Sequence, residues 1–301
     1  MTDYGHDLLY GTFVTPSVRN ARDAVELAVT ADQAGLDLVT YQDHPYHPGL
    51  LDTWTLMTYV AAKTESIRIS GNVLSLPLRP PAVLARAAAS LDILSGGRFE
   101  LGLGAGAFWE GIVAMGGRRL TPGQSVQALR EAITIIRELW NTDAPAGVRF
   151  DGEYYQISGA KRGPRPAHDI AIWVGAYKPK MLALTGAMGD GWLPTLEYLP
   201  HGVGTLPELN ARIDEAAREA GRSPRDIRRL LNVMNVSVTP QSRGTLNGPS
   251  SQWIDELADL VLNHGISGVL IGGDDHDLTK QFATEIVPAV RDLVERERRS
   301  R

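Results

Sequence analysis

The chain has no cysteine, few lysines and no long apolar run, and these shortages exclude several kinds of protein. With no cysteine among its 301 residues, it cannot use disulfides, thiolate nucleophiles, iron–sulfur ligation or cysteine-based zinc sites. Acidic residues outnumber basic ones by 35 to 30, which gives no reason to expect a nucleic acid. No apolar run approaches the roughly 18 residues of a membrane span, and the N-terminus lacks a signal-peptide pattern. We therefore expect a cytoplasmic protein without a nucleic-acid or membrane partner.

Strand-like and helix-like segments alternate along nearly the whole chain. Eight strands in strict alternation with eight helices favour an α/β fold, a parallel (β/α)8 TIM barrel; an open doubly wound sheet is the alternative, because the sixth strand is weak. No shift in composition marks a linker, so residues 1–301 are expected to form a single domain. The predicted strands are Leu8–Val14, Leu36–Tyr41, Ile67–Leu74, Arg98–Leu103, Ile170–Val174, Gly191–Pro194, Leu230–Val238 and Gly268–Ile271. The predicted helices are Asn20–Ala34, Asp52–Lys63, Pro80–Leu94, Thr121–Trp140, Pro179–Met188, Leu206–Ala220, Ser250–Asn263 and Leu278–Arg296.

Two segments interrupt this alternation. Asp151-Gly152 lies between β-rich flanks in Val148–Ser158, which predicts a hairpin inserted before the fifth barrel strand. Thr239–Pro249 is polar and rich in glycine and proline, which indicates a mobile loop after the seventh strand. Because the loops that follow barrel strands form the active-site end of the fold, this loop is expected on that side.

A glycine-rich exit follows the fourth predicted strand, in the segment RFELGLGAG. Gly102, Gly104 and Gly106 alternate there, which favours close approach of a flat ring or a phosphate to the backbone. A dinucleotide fingerprint would need glycine where Ala107 stands, and it would fall in the first βα unit rather than the fourth. A purely structural turn is the alternative to a ligand site. The candidate cofactor contacts are Gly104, Ala105, Gly106 and Ala107.

Asp43 and His44 end the second predicted strand, where a barrel places catalytic groups. Histidine suits proton transfer near neutral pH, and an adjacent carboxylate can orient it. We therefore expect His44 to act as a general acid or base or to contact a bound ring. A structural turn and a metal site that adds His47 are the alternatives. The metal site is disfavoured because the two prolines of this segment prevent the helical spacing of histidine ligands.

The fifth predicted strand leads into a helix that begins with proline. Free backbone N–H groups at a helix N-terminus attract phosphate, and two of the five lysines in the chain lie at this junction. The alternative is that these lysines are ordinary surface charges. The candidate phosphate-binding residues are Gly175, Ala176, Tyr177 and Lys178.

Aromatic and acidic residues that follow several strands are candidates for the substrate pocket. Exposed aromatic rings after the second and fourth strands would form an apolar wall. Trp192 lies in the sixth strand, where it would either stack on a ligand or fill the core. The candidate pocket residues are Tyr46, Phe108, Trp109, Glu110, Trp192 and Glu197.

Several segments, taken in order, resemble the luciferase-like oxidoreductases of the bacterial-luciferase superfamily, which use FMN or the deazaflavin coenzyme F-420. The similar segments are AGLDLVTYQDH, SIRISGNVLSLPLRPPAVLARAAASLDILSGGRFELGLGAG, TPGQSVQALREAITIIRELW, FDGEYYQI, IAIWVGAYKPKMLALTGAMGDGWLP and FATEIVPAVR. They cover nearly the whole chain, including the hairpin. The resemblance therefore implies the family's TIM barrel.

The resemblance also implies roles for individual residues. Gly71-Asn72-Val73 occupies a position where these proteins often have a non-proline cis peptide that backs the isoalloxazine ring. His44, after Asp43, stands where deazaflavin-dependent dehydrogenases have an active-site histidine. No metal is implied. The residues implied to border the ring and its ribityl chain are Gly104, Ala105, Gly106 and Ala107. Those implied to hold the cofactor phosphate are Gly175, Ala176 and Tyr177.

Two departures separate the chain from the sugar-phosphate dehydrogenases of this family. Those enzymes have a catalytic glutamate where Ala107 stands and a tryptophan near the place of Pro48, whereas Glu110 lies three residues further on. We therefore expect a substrate other than a sugar phosphate. Arginine outnumbers lysine by 25 to 5, as in GC-rich actinobacterial genomes, where the deazaflavin is common. On this association, coenzyme F-420 is favoured over FMN.

The resulting expectation is an oxidoreductase that transfers a hydride between coenzyme F-420 and a small organic substrate. With FMN it would instead be a monooxygenase that activates oxygen and has a separate flavin reductase as its partner. A non-catalytic flavin-binding protein and a metal-dependent barrel hydrolase are the alternatives of other classes. Because the family tends to dimerise, a homodimer is expected.

Overall fold

The barrel strands all run parallel in the computed structural model, which describes residues 3–300. In chain order the strands are β1 (Leu9–Val14), β2 (Leu38–Tyr41), β3 (Arg68–Gly71), β4 (Leu74–Ser75), β5 (Phe99–Gly104), β6 (Val148–Asp151), β7 (Gln156–Ala160), β8 (Ile172–Val174), β9 (Gly191–Trp192), β10 (Arg228–Val233), β11 (Ser237–Val238), β12 (Asn247–Gly248) and β13 (Gly268–Gly272). The order around the sheet is β3-β2-β1-β13-β10-β9-β8-β5-β4, and pairing of β3 with β5 closes it. Since β3 and β4 are two parts of one interrupted strand, eight strands form the predicted (β/α)8 barrel.

Helices follow the strands and pack around the barrel. They are α1 (Ala21–Ala34), α2 (Thr53–Ala61), α3 (Pro81–Ser95), α4 (Trp109–Ala114), α5 (Pro122–Trp140), α6 (Pro179–Met188), α7 (Leu206–Glu219), α8 (Ser250–Leu262), α9 (His276–Gln281) and α10 (Val287–Ser300), with a π-helical turn at Phe282–Ile286. Asp52 caps α2 as predicted, since its carboxylate accepts a hydrogen bond from the Thr55 N–H at 2.8 Å. Thr121 and Gln124 form a capping box at the start of α5. No helix in the described part of the chain is long and apolar enough to cross a bilayer.

Two apolar cores explain why the barrel strands are apolar on both faces. Leu38, Trp173, Leu230 and Leu270 pack together inside the barrel. Their chain neighbours, such as Val39, belong to the second core, between the sheet and the helices. This division follows from the alternation of side chains along a strand, and it is typical of parallel sheets covered on both sides.

The hairpin predicted before the fifth barrel strand is present, and a buried carboxylate holds it to the barrel. Strands β6 and β7 pair antiparallel, and Glu131 of α5 lies beneath their turn. Its carboxylate accepts hydrogen bonds from the backbone N–H groups of Glu153, Tyr154 and Tyr155 at 2.9 to 3.1 Å. Glu131 is only 4% exposed, so these bonds replace the water that a buried carboxylate loses.

A second buried acidic group lies at the N-terminal end of the barrel. Nδ1 of His168 lies 2.7 Å from an Asp92 oxygen, and its Nε2 lies 3.4 Å from a Glu100 oxygen. Both carboxylates are almost fully buried, with exposures of 0% and 2%. Glu100 also pairs with Arg68 and accepts a hydrogen bond from the Ala171 N–H. This cluster faces away from the catalytic end of a barrel, where stability is the usual role.

Four predicted elements differ from the structure, and α4 was not predicted. The third strand is interrupted between Gly71 and Leu74, the sixth has only two residues, and the seventh ends at Val233. The predicted last helix consists of α9, the π-helical turn and α10. The loop predicted as mobile, Thr239–Pro249, includes β12, which pairs with β11, and its Leu246 is fully buried. Glu256 of α8 accepts a hydrogen bond from the Leu246 N–H at 2.7 Å. The loop therefore has its own attachment to the barrel wall.

Candidate functional site

A layer of hydrogen-bonded polar side chains closes the barrel at the C-terminal ends of its strands. The amide of Asn72 donates to Asn232 Oδ1 at 2.7 Å and to Thr40 Oγ1 at 3.2 Å. Asn232 in turn donates to Asn72 Oδ1 at 3.2 Å and to Thr195 Oγ1 at 3.3 Å. Thr40 and Asn232 are buried, whereas Asn72 and Thr195 are half-buried. The layer therefore presents part of Asn72 and Thr195 above the apolar interior.

The strand that carries Asn72 is interrupted there. The Asn72–Val73 peptide bond is cis, as the resemblance implied. The Val73 side chain then lies between two neighbouring strands. A Cβ on Gly104 would come within 2.7 Å of Val73 Cγ2, and one on Gly175 within 3.0 Å. A Cβ on Gly102 would lie 1.8 Å from the Gly71 carbonyl oxygen.

These contacts give the glycines of the glycine-rich exit a role in protein packing. Gly102 and Gly104 lack side chains because the interrupted strand leaves no room for them. Gly106 has a φ of +96°, a backbone conformation that favours glycine, and a Cβ there would press on Pro77. Packing within the protein thus explains all three glycines, and the prediction that their loop contacts a cofactor stays a prediction. Ala105 is half-buried and Ala107 exposed in the loop that follows.

His44 and Tyr46 belong to one tight turn after β2. The His47 N–H donates to the His44 carbonyl at 2.8 Å, with Pro45 at the position where proline is favoured in such turns. The turn brings the Tyr46 hydroxyl to 2.7 Å from His44 Nδ1. Burial lowers the pKa of His44 despite the charge of Asp43, and it raises the pKa of Tyr46 to about 12. His44 is therefore mainly neutral, and Tyr46 fully protonated, at neutral pH.

The loop after β5 and helix α4 pack over this turn. The Phe108 ring meets the His44 ring edge-on, with centroids 5.2 Å apart, and lies 6.1 Å from the Tyr46 ring. Phe108 remains 60% exposed, so it presents an apolar surface beside His44. Trp109 is half-buried behind Gly106. Glu110 is exposed and forms an ion pair with Arg119 at 3.0 Å, which lowers the pKa of its carboxyl.

Asp43 has a different partner from the one expected. Its carboxylate accepts two hydrogen bonds from the Arg79 guanidinium, at 2.9 and 3.1 Å, and one from the Ser75 N–H at 2.8 Å. It is 3% exposed, and it does not orient the His44 ring, which Tyr46 contacts instead. Asp43 therefore ties the turn after β2 to the segment after the interrupted strand. The Arg79 pair also occupies the carboxylate that the metal alternative required.

The N-terminus of α6 meets the mouth directly after β8. No side chain caps it, Pro179 is its first residue, and Lys178 and Lys180 are exposed beside it. Tyr177 is half-buried, and its hydroxyl accepts a hydrogen bond from the Thr195 N–H at 2.9 Å. This arrangement leaves the positive end of a helix and two ammonium groups at the mouth.

Two predicted pocket residues have structural roles instead. Trp192 is fully buried, and its indole N–H donates to the Ala176 carbonyl at 2.8 Å. It belongs to the core, so its prediction as a pocket residue is wrong: the sixth strand directs this side chain towards the helices. Glu197 accepts hydrogen bonds from the N–H groups of Met234 and Asn235 at 2.8 and 3.0 Å. It holds the loop after β10.

The polar layer contains residues that sequence reasoning missed. Thr40, Thr195 and Asn232 were not among the candidates, although each is a polar residue near the C-terminal end of an apolar strand. Alternation along the strand places Asn232 on the same side as Leu230, which faces the barrel interior. A polar residue in a strand position that faces the barrel interior is therefore the sequence signal that would have identified Asn232.

Comparison with known proteins agrees with this architecture. The sequence profile of the luciferase-like monooxygenase family matches residues 4–242. An F420-dependent glucose-6-phosphate dehydrogenase from Kribbella flavida is 30% identical over 289 residues, which cover 87% of this chain and 84% of that enzyme. An enzyme of the same name from Amycolatopsis mediterranei is 34% identical over 221 residues, which are 70% of this chain and 64% of that enzyme.

Solved structures support the fold. An F420-dependent secondary alcohol dehydrogenase, in complex with an F420-acetone adduct, superposes with a TM-score of 0.83 over 95% of this chain and 100% of that one. Because the two sequences are only 21% identical, this similarity supports the fold and not a shared function. The profile and the relatives together confirm the predicted family and the oxidoreductase class. The chain belongs to the luciferase-like monooxygenase family.

Proposed function

We propose that this protein uses coenzyme F-420 to transfer a hydride to or from a small organic substrate at the mouth of the barrel. The observation that carries the proposal is the similarity to enzymes named as F420-dependent over 87% of the chain. The half-buried His44 and the polar layer, which lie at the same end of the barrel, support it.

The residues at the mouth fit such a cofactor. Asn72 and Thr195 are half-buried side chains with donor and acceptor groups, suited to the polar edge of a flat ring. The uncapped N-terminus of α6, with Lys178 and Lys180, suits a phosphate. When bound, coenzyme F-420 accepts or supplies the hydride through its ring. We assign cofactor contacts to Asn72, Val73, Thr195, the loop Gly104–Ala107 and the segment Gly175–Lys178.

His44 is the group that we assign to the proton. Hydride transfer between an alcohol and a carbonyl also moves a proton at the oxygen atom, and a half-buried imidazole can take or return it. Phe108 and Tyr46 shield one side of the imidazole from water. Shielding strengthens the interaction of a polar group with its ligand because the surrounding dielectric constant is lower.

The wall beside His44 favours an uncharged substrate with an apolar part. Phe108 offers an exposed aromatic face there, and the carboxylate of Glu110 is paired with Arg119. Ala107 is exposed at the position where the resemblance places the glutamate of sugar-phosphate dehydrogenases. We therefore propose that a sugar phosphate is not the substrate, although the curated relatives are named for glucose 6-phosphate.

The second candidate is an FMN-dependent monooxygenase, because the matching family profile carries that description. Such an enzyme would need a separate reductase as partner. Titration of the purified chain with FMN and with oxidised and reduced coenzyme F-420, followed by fluorescence, distinguishes the two. We expect tight binding of F-420 alone, and tight FMN binding with no response to F-420 would overturn the proposal. Binding of F-420 without turnover on any alcohol or carbonyl panel would favour a non-catalytic flavin-binding protein.

We further propose that the protein is a cytoplasmic, single-domain homodimer. Apolar side chains point outward from neighbouring helices, with Tyr59 of α2 55% exposed and Val83 and Leu94 of α3 66% and 79% exposed. Burial of these side chains against a second copy would remove them from water. Light scattering should give twice the 32.7 kDa mass of one chain, and a constant 32.7 kDa over a wide concentration range would reject the dimer.

A further inference from the structure

We propose that Tyr46 is a positioning residue for His44, which holds the imidazole in the tautomer that carries its proton on Nδ1 and leaves Nε2 for the ligand. The assignment of Nε2 to the substrate oxygen rests on the proposed function. The tautomer is part of the same proposal, and the contact between Nδ1 and the Tyr46 hydroxyl on which it is built belongs to this chain's own structure.

The position of Tyr46 is fixed from three directions. The turn closed by the His44 carbonyl and the His47 N–H places the two side chains side by side, with 2.7 Å between Nδ1 and the hydroxyl oxygen. The Tyr46 side chain packs against Gly111 of α4, where a Cβ would come within 2.6 Å of Cγ and Cδ2. Phe108 contacts both the His44 and the Tyr46 ring. Tyr46 therefore has little freedom to leave His44.

No other group competes for the two ring nitrogens of His44. Among residues 3–300, Tyr46 is the only hydrogen-bond partner of this imidazole, and Nε2 is left without one. Asp43 is engaged by Arg79 and by the Ser75 N–H.

The other titratable groups near the turn, His47 and Glu110, have hydrogen-bond partners of their own and do not contact the His44 ring. His47 is exposed and accepts a hydrogen bond from the Gly49 N–H at 3.1 Å. On α4, the carboxylate of Glu110 is exposed and paired with Arg119. Tyr46 is thus the one side chain among the described residues that is hydrogen-bonded to the His44 ring.

Proton exchange requires one particular arrangement. A group that takes and returns a proton at Nε2 must keep the other proton on Nδ1 in both charge states. The Tyr46 oxygen can accept a hydrogen bond from Nδ1–H in the neutral and in the protonated ring alike. Since the pKa of Tyr46 is raised to about 12, its hydroxyl stays protonated at every pH where His44 titrates. This partner therefore keeps one geometry throughout the cycle.

Nitrogen NMR of the cofactor-free, ¹⁵N-histidine-labelled chain tests the tautomer without any activity. His44→Asn identifies the signal, and the wild-type ring should show a protonated Nδ1 and an unprotonated Nε2 at pH 8. Tyr46→Phe keeps the ring on Gly111 and Phe108 but removes the acceptor, so the signal should move towards a mixture of tautomers. Tyr59→Phe, an exposed tyrosine on α2, is the matched control and should leave it unchanged. A wild-type ring protonated on Nε2, or an unchanged signal in Tyr46→Phe, would overturn the proposal.

Kinetics then test the link to the proposed function. In the direction of substrate oxidation, Tyr46→Phe should lower kcat about tenfold with KM nearly unchanged. The acidic limb of the pH–rate profile of this variant should move to lower pH, because the imidazolium of His44 loses a hydrogen-bond acceptor that stabilises it. An acidic limb at the same pH in the wild type and in the variant would overturn the assignment of Nε2 to the substrate. If the chain shows no activity with coenzyme F-420 at all, the proposed function fails, and the NMR result still decides the role of Tyr46.

Discussion

Asn72 and Asn232 exchange two hydrogen bonds across the barrel, at 2.7 and 3.2 Å, although 160 residues separate them in the chain. One stands at the interruption of the third barrel strand and the other near the end of β10. Each amide uses both a donor and an acceptor in this pair, so neither can rotate without losing a bond. The pair therefore holds in place the polar layer on which we place the cofactor ring.

Asn232→Ala should weaken both the fold and cofactor binding. It removes one donor and one acceptor partner of the half-buried Asn72 amide, and a buried polar group left unsatisfied costs about 1–3 kcal/mol of the free energy of unfolding. We expect cofactor affinity to fall about tenfold, equivalent to about 1.4 kcal/mol. Urea unfolding and a fluorescence titration measure the two effects.

A matched control separates the two effects of that substitution. Asn210 of α7 is 1% exposed, and its amide donates to the His264 carbonyl at 2.8 Å, outside the barrel. Asn210→Ala should destabilise the chain to a similar extent and leave cofactor affinity unchanged. Equal loss of affinity in both variants would mean that the polar layer has no specific role at the cofactor.

His44→Asn should lower turnover at least about a hundredfold, as expected for loss of a general acid or base, with cofactor affinity changed only a few-fold. The wild-type enzyme should also lose activity in the oxidising direction below the imidazole pKa, which burial places under the usual 6.5. His47→Asn, an exposed neighbour in the same turn, serves as the control and should retain near-normal turnover. Near-normal turnover in His44→Asn would instead move the proton to another group.

The sequence predicted the barrel because its signals are local. Helix starts such as Thr121-Pro122, turn residues such as Asp151-Gly152 and the alternation of apolar segments each act over a few residues. The structure agrees with them at α5 and at the β6–β7 hairpin. Helix α4 was not predicted because it has only six residues, which are too few to show a helical pattern of apolar positions.

The site was harder to predict because its contacts join distant parts of the chain. The glycines of the fourth strand indicated a ligand, whereas the space beside Gly104 is filled by Val73 and the space beside Gly102 by the Gly71 backbone, both from another part of the barrel. Asp43 looked like the partner of its neighbour His44, but Arg79, 36 residues away, holds its carboxylate. Trp192 could be assigned to pocket or core only once the direction of its short strand was known. Such contacts depend on three-dimensional register, which no local pattern encodes.

Lys178→Glu should weaken cofactor binding if the phosphate lies at the N-terminus of α6. A carboxylate there replaces an attractive charge with a repulsive one beside the exposed N–H groups, so we expect affinity to fall about tenfold at low salt. Lys63→Glu, an exposed lysine after α2, is the control and should bind normally. This pair avoids changes at Gly175, where a Cβ would press on Val73 and disturb the fold as well. Equal affinity in both variants would place the phosphate elsewhere.

The stability of the protein should decrease with rising pH through the titration of His168. The hydrogen bond to Glu100, together with the charge of Asp92, raises the pKa of this histidine above its ordinary value, against the opposing effect of burial. The folded chain therefore binds the proton more tightly than the unfolded chain does. The resulting stabilisation is fully present below about pH 6.5, the value for an unfolded chain, and is lost as pH rises through the higher pKa of the folded state.

His168→Gln removes this titration and keeps a polar side chain. We expect the difference in free energy of unfolding between wild type and variant to be largest near pH 6 and to shrink towards pH 8.5, as measured by urea denaturation at each pH. Because the cluster lies at the end of the barrel opposite the mouth, cofactor affinity should stay the same in the variant. A difference in stability that does not change with pH would show that His168 contributes through packing and neutral hydrogen bonds, and not through its charge.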